Sequence, residues 1–242
     1  MPKVMPVMVS FFTHGWTQQC VRCFQKWFPE LKILVVDNNP TCKEQMKHWN
    51  WGTRAGKKWN NFFPFCLAER DWLEKQDNVI LIKPDRSLLP ANQQIRHGKA
   101  IDLALSWCKD NEFDIMLCIE PDNFFDKVEW FDALLEPLLE DYWITARNFA
   151  GGGLKKAVHP CPLMIKTSKI EFSFNDVKKD RQYYDFAQWV WQKHNEIGRA
   201  KLVEIEIPVR HKKAWKGFRH FWSGSYNNFI SNERNCPYVT FL

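Results

Sequence analysis

Glu120-Pro121-Asp122 follows five apolar residues, Ile115 to Ile119, and so sets two carboxylates two positions apart at the end of an apolar run. Acids in that spacing aim hard oxygen ligands into one crevice, as Mg2+ or Mn2+ bridging a diphosphate requires. Asp37 closes another apolar run, Ile33 to Val36, where a lone carboxylate could bind a sugar hydroxyl or the edge of a base. The plainer use of these acids is to cap the turns that follow. Thr13-His14 ends a further run, and Arg96, His97 and Lys99 begin a helical stretch ahead of Glu120. A helix N-terminus and cations directed at one anion suit a phosphate, although such residues are more often only solvated.

These positions fall where alternating elements would end. Val7 to Phe12, Ile33 to Asp37, Val79 to Ile82 and Ile115 to Ile119 are short continuous apolar runs bounded by turn formers, the mark of buried strands. Between them, 17–28 carries Cys20, Phe24, Trp27 and Phe28 at helical spacing up to Pro29, and Gly98 to Lys109 sets Ile101, Leu105 and Cys108 on one face. Continuous apolar strands joined by helices imply a mainly parallel sheet covered on both faces. In such sheets ligands bind outside the carboxyl ends of the strands, which is where the acids lie.

The second half is more mixed. Val128 to Leu139 reads as a helix shortened or kinked by Pro137, and Tyr142 to Ala146 and Leu163 to Lys166 read as strands around Gly151-Gly152-Gly153. Residues 185–197 form a helix expected to turn Phe186, Trp189, Val190 and Ile197 inward, with Gly198 at its stop. Val203, Ile205, Ile207 and Val209 alternate with polar residues as in a half-exposed strand. The tail from Arg210 to Leu242 is basic and aromatic without a clean period.

Composition narrows the classes. The 242 residues are 45% hydrophobic and 26% charged, which excludes a disordered or fibrous chain. Thirteen Trp and nineteen Phe point either to stacking on flat ligands or to bulky packing layers. A net charge of +6 suits an anionic ligand without requiring one. Eight scattered Cys and no signal-peptide cleavage site read as reduced thiols in a cytoplasmic protein, and no run is long enough for a membrane span. A zinc site would need a second ligand doublet beside Cys20 and Cys23, and none is present. Residues 43–65 interleave Trp49, Trp51, Trp59, Phe62 and Phe63 with Lys47, Arg54, Lys57 and Lys58. That mixture suits stacking on sugars or bases, or a small lobe packed on the sheet.

The segments VMVSFFTHG, LKILVVDNNP, NQQIRHGKAIDLALSWCKDNEFDIMLCIEPDNFF and YYDFAQWVWQKHNEIGRAKLVEIEIPVRH occur in the order and near the spacing of family 2 glycosyltransferases, and the chain resembles that family over most of residues 4–212. The resemblance implies a GT-A fold: α/β, a Rossmann-like mixed sheet, mainly parallel, flanked by helices. It implies a single domain over 1–242, with a nucleotide-binding half (1–122) and an acceptor half with the basic aromatic tail (123–242). It places Asp37 on the nucleoside of the nucleotide-sugar donor; Thr13 at its strand end and Arg96 at the helix start are read from their own positions as further donor contacts. Asp122 becomes the main ligand of a divalent metal, Mn2+ or Mg2+, with Glu120 standing where the family more often has Asp. His211, in Pro208-Val209-Arg210-His211, completes the metal set. The family's general base is an Asp in a Glu-Asp pair, which this chain lacks; Asp185 is the best match and Asp180 the fallback.

The implied activity is transfer of a sugar from a nucleotide-sugar donor to an acceptor hydroxyl, inverting and metal-dependent, with a saccharide as acceptor. One alternative is a glycosyltransferase acting on a hydroxylated base in DNA, which the basic balance and the aromatics would serve. A nucleotidyltransferase that makes nucleotide sugars shares the plan, but His14-Gly15-Trp16-Thr17 is a poor version of its Gly-rich loop. A non-catalytic nucleic-acid-binding module would leave the acid-ended strands without purpose.

Overall fold

Strands without a polar face need cover on both sides, and the chain supplies it with helices. The computed structural model describes residues 1–11, 13, 15–39, 63–84, 93–121, 123–125, 128–149, 157–170, 186–203, 205 and 218–220. The strands are β1 (Val4–Ser10), β2 (Ile33–Asp37), β3 (Val79–Ile82), β4 (Ile115–Cys118), β5 (Asn123–Phe125), β6 (Ile144–Phe149), β7 (Ala157–Lys166), β8 (Ala200–Val203) and β9 (Phe218–His220). The helices are α1 (Trp16–Trp27), α2 (Phe63–Leu73), α3 (Gln93–Asp110), α4 (Glu129–Leu139) and α5 (Phe186–Glu196).

Seven strands form one sheet in the order β3-β2-β1-β4-β7-β6-β8, and β5 pairs with β9 in a small second sheet. The pairs β1–β2, β2–β3, β1–β4 and β6–β8 are parallel, while β7 is antiparallel to both β4 and β6. Every strand of the main sheet except β7 therefore points the same way. The architecture is a single-domain, mostly parallel mixed sheet with flanking helices, as the sequence implied.

Alternation along the strands divides the interior into two layers. Met8, Val35, Ile115 and Leu117 face Trp16, Cys20 and Phe24 of α1 and Trp130, Leu134 and Leu138 of α4. Val7, Val9, Leu34 and Met116 face Ala100, Ile101, Ala104 and Cys108 of α3 and Val190 of α5. Part of the aromatic load belongs to the first layer. Phe24 and Phe125 meet edge to face at 4.9 Å, and Phe28, Trp130 and Phe131 close round them. Cys20, Cys23, Cys66, Cys108 and Cys118 are buried and form no disulfide. No helix among the described residues is long and apolar enough to cross a membrane.

Several boundaries differ from the sequence reading. β1 starts and ends earlier than Val7 to Phe12 and carries Pro6 inside a central strand. Residues of a parallel strand alternate between their two neighbours, and Ser10 accepts from Asn38 on the β2 side, so Pro6 also faces β2. Its missing N–H falls where the β2 ladder has not yet begun, at Val7–Leu34, and removes no bond within it. β7 begins at Ala157, not Leu163, and runs through Pro160 and Pro162 because the β6–β7 register breaks there. Ile197, expected inward, is 58% exposed: α5 ends at Glu196, and Gly198 at φ +68 turns the chain away. The strand expected over Val203 to Val209 lies earlier: β8 spans Ala200–Val203, Ile205 is not in a strand, and residues 204 and 206–209 lie outside the described residues.

Candidate active site

Because β1, β2, β4 and β6 run in one direction, their carboxyl ends meet at one edge of the sheet. Ser10 is in register with Asp37, and Val7 with Cys118, so Glu120 lies within about one residue of the Ser10–Asp37 level. Residues from three elements converge between β1 and β2. Asp37, fully buried, accepts from the Asn39 N–H (3.0 Å) at Oδ1 and from Arg70 Nε (2.5 Å) at Oδ2. The first bond is the turn-capping role anticipated for such an acid; the second is a buried ion pair that holds the other oxygen.

Thr13 is buried beside this pair. Its hydroxyl lies 2.8 Å from that of Thr17 and 3.3 Å from that of Ser10, and it accepts from the Phe11 N–H at 3.2 Å. The Ser10 hydroxyl donates to Glu69, and Asn39 Nδ2 donates both to Ser10 Oγ (2.8 Å) and to Glu69 Oε2 (3.2 Å). Glu69 is 1% exposed. Burial pushes its carboxyl up to about 7, a rise opposed by the Ser10 and Asn39 hydrogen bonds and reinforced by the Asp37 charge.

Glu69 and Arg70 were missed in the sequence. Both sit on α2, a segment for which no element was expected, and Glu69 lies between the buried Cys66 and Leu73, where an inward helical face ordinarily carries an apolar residue. That charge on an otherwise apolar face was the available signal.

At the end of β4, the Glu120 carbonyl accepts from both the backbone N–H (3.0 Å) and the side-chain Nδ2 (2.7 Å) of Asn123, which fixes the turn through Pro121. The Glu120 carboxylate acts on His97 of α3. Burial lowers the imidazole pKa more than this charge raises it, so His97 is neutral at pH 7. Arg96 precedes it on α3, one turn from the helix start. β5 begins at Asn123, and its register partner on β9 is His220, so the tail returns its backbone to the segment that follows Asp122. Asp122, His211, Asp185 and Asp180 lie outside the described residues. Among the described residues no group of three His, Cys, Asp or Glu is arranged to hold a metal. Glu120 contributes one hard carboxylate at the right edge, which fits a divalent cation in donor type.

No protein-family model matches the sequence, and no curated protein matches it. Solved structures match in fold. A glycosyltransferase involved in the glycosylation of the major capsid of PBCV-1 aligns with 95% of this chain and 100% of its own, with a TM-score of 0.53 at 9% identity. The mannosyltransferase PcManGT from Pyrobaculum calidifontis, in complex with GDP-Man and Mn2+, aligns with 86% of this chain at a TM-score of 0.50 and 12% identity. The fold is that of GT-A nucleotide-sugar transferases. The bifunctional IspDF from Campylobacter jejuni also matches, at a TM-score of 0.51 and 11% identity over 86% of this chain. The chain spans 51% of IspDF and 58% of PcManGT. At these identities the likeness is one of fold.

Proposed function

We propose that the protein is a glycosyltransferase that moves a sugar from a nucleotide-sugar donor to an acceptor hydroxyl. The observation that carries this reading is the shared edge of the sheet. A buried carboxylate, Asp37, is held there by Arg70 and Asn39, while Glu120 follows β4, two strands away across β1, within about one residue of the same level. Residues 1–122 serve as the nucleotide half and 123–242 as the acceptor half. In this reading Asp37 and Thr13 receive the nucleoside, and Arg96 meets the diphosphate. Glu120, Asp122 and His211 would hold a divalent cation, Mn2+ or Mg2+; when bound, it would absorb charge on the departing diphosphate. His220 is a second candidate for the histidine, since β9 brings its backbone beside Asn123. Asp185, or Asp180 in its place, takes the proton of the attacking hydroxyl, and attack from the face opposite the leaving group inverts the anomeric centre.

The test is a thermal-shift panel of nucleoside diphosphates with and without Mn2+, followed by turnover of the nucleotide sugar that binds. Asp122→Asn should abolish both turnover and the Mn2+-dependent shift, and Asp185→Asn should cut turnover by ~10²–10⁴-fold with donor binding nearly unchanged. Full turnover by Asp122→Asn in the presence of a chelator would refute the metal reading. Comparable loss in Asp180→Asn, with none in Asp185→Asn, would move the base five residues upstream. The +6 charge favours one second reading, a hydroxylated base in DNA as acceptor. Duplex binding would then fall steeply with salt, at a slope near −0.9 per phosphate contact, whereas binding of a neutral saccharide would barely respond.

A further inference from the structure

Arg147 carries a buried guanidinium, and its situation is the reverse of that of the part-buried Arg70. Arg70 is paired with Asp37. Arg147 is 3% exposed, its Nε makes no hydrogen bond, and no carboxylate pairs with it among the described residues. Burial pulls its pKa down to about 10, which leaves it charged at neutral pH. A guanidinium carries five donors in a planar fork, and burying that charge with no carboxylate partner among the described residues is a cost that an apolar side chain of similar size would remove.

Its place in the fold gives the cost a purpose. β6 runs parallel to β1, β2 and β4, so Arg147 lies toward the edge that carries Asp37 and Glu120. Ala146 is level with Cys118 through Leu163, which puts Arg147 one residue short of the level of Glu120. Across the sheet, β6 is two strand spacings, about 10 Å, beyond β4, and four spacings, about 19 Å, from β2. Its register partner Val203 packs in the layer under α1 and α4, and on that same face the Thr145 hydroxyl donates to the Leu134 carbonyl of α4. The β6–β7 ladder breaks register between Ala146 and Asn148, and irregularities of this kind re-aim a side chain.

We infer that Arg147 is an anion-recognition residue for the acceptor, and that the saccharide acceptor carries a terminal oxyanion, a phosphate monoester or a carboxylate. The inference rests on the glycosyltransferase reading and names its substrate class. The distance from β2 separates this subsite from the one for the nucleoside. The depth of the guanidinium selects a small terminal group, which can enter and bind its fork bidentately, over a phosphodiester of a duplex.

The test uses the full chain as wild type, Arg147→Met and Arg147→Lys, with methyl phosphate, glucuronate and neutral glucose as probes. Calorimetric titration and thermal shift are read beside a separate arm of nucleoside diphosphates with Mn2+. Wild type should bind methyl phosphate or glucuronate and ignore glucose, and which anion binds tells the two sources apart. Arg147→Met should weaken anion binding by roughly tenfold or more. It should also melt higher than wild type without ligand and respond unchanged to the nucleoside diphosphates. Arg147→Lys should retain part of the anion binding. Anion binding by Arg147→Met equal to wild type overturns the inference. So does a Met variant that melts lower or fails to fold while the Lys variant is restored, because the guanidinium is then paired within the protein. Displacement of methyl phosphate by duplex DNA overturns the choice of a small acceptor. If the nucleoside diphosphates stabilise none of the three proteins, the glycosyltransferase reading fails in its own arm and takes the inference with it.

Discussion

Glu69→Gln keeps the size of the side chain and removes its titration. In the folded protein burial holds the Glu69 carboxyl near 7 against its ordinary 4.5. Between these values the folded chain keeps a proton that the unfolded chain releases, so stability falls as pH rises through the window and levels off above it. Each pH unit is worth about 1.4 kcal/mol, which makes the total loss in wild type about 3 kcal/mol. The glutamine variant has no such loss, while its amide oxygen can still accept from the Ser10 hydroxyl and from Asn39 Nδ2. Urea unfolding of both proteins at pH 5, 6, 7 and 8 isolates the effect, since every other titration cancels in the difference. The variant should gain about 2–3 kcal/mol on wild type between pH 5 and 8, nearly all of it below pH 7. A difference that stays constant across this range would refute the reasoning, because Glu69 would then titrate alike in both states.

Two further outcomes follow from packing. Arg70→Ala should destabilise the fold by about 3–5 kcal/mol in thermal or urea unfolding, because it leaves the Asp37 carboxylate buried without its cation. In the same variant, weakened nucleoside diphosphate binding would show that the pair also shapes the ligand edge. Phe125→Ala should cost about 3–5 kcal/mol, since Phe125 is fully buried against Phe24, Phe28 and Trp130 and the space cannot easily collapse.

The first four strands were legible because strands covered on both faces read as unbroken apolar runs, and Ile33–Asp37 and Val79–Ile82 match the expected bounds. β5 and β9 span only three residues each, too short for any period to register, so the return of the tail to Asn123 came from the structure alone. β7 extends further than its expected span: Pro160 and Pro162, residues that argue against a central strand, fall where the ladder is already broken. Asp37, Thr13 and Glu120 stood out in the sequence as candidates because they stand at strand ends, where the chain gives up its apolar pattern. Glu69, Arg70 and Arg147 were missed because each interrupts an apolar face from within. A charge in that position costs stability locally, so local propensity gives no reason to expect it.

The pairing of β1 with β4 also has a consequence for synthesis on the ribosome. β2 can dock on β1 soon after both emerge, but the other side of β1 waits for Ile115–Cys118, more than a hundred residues later in the chain. At roughly 5–20 residues per second, that side stays open for about 5–20 s. During this interval an apolar strand of the nascent chain exposes unpaired N–H and C=O groups, a template for the wrong partner. Chains released before residue 115 should therefore partition to the insoluble fraction, whereas release after Lys166 gives β1 both neighbours and β4 its cover from β7.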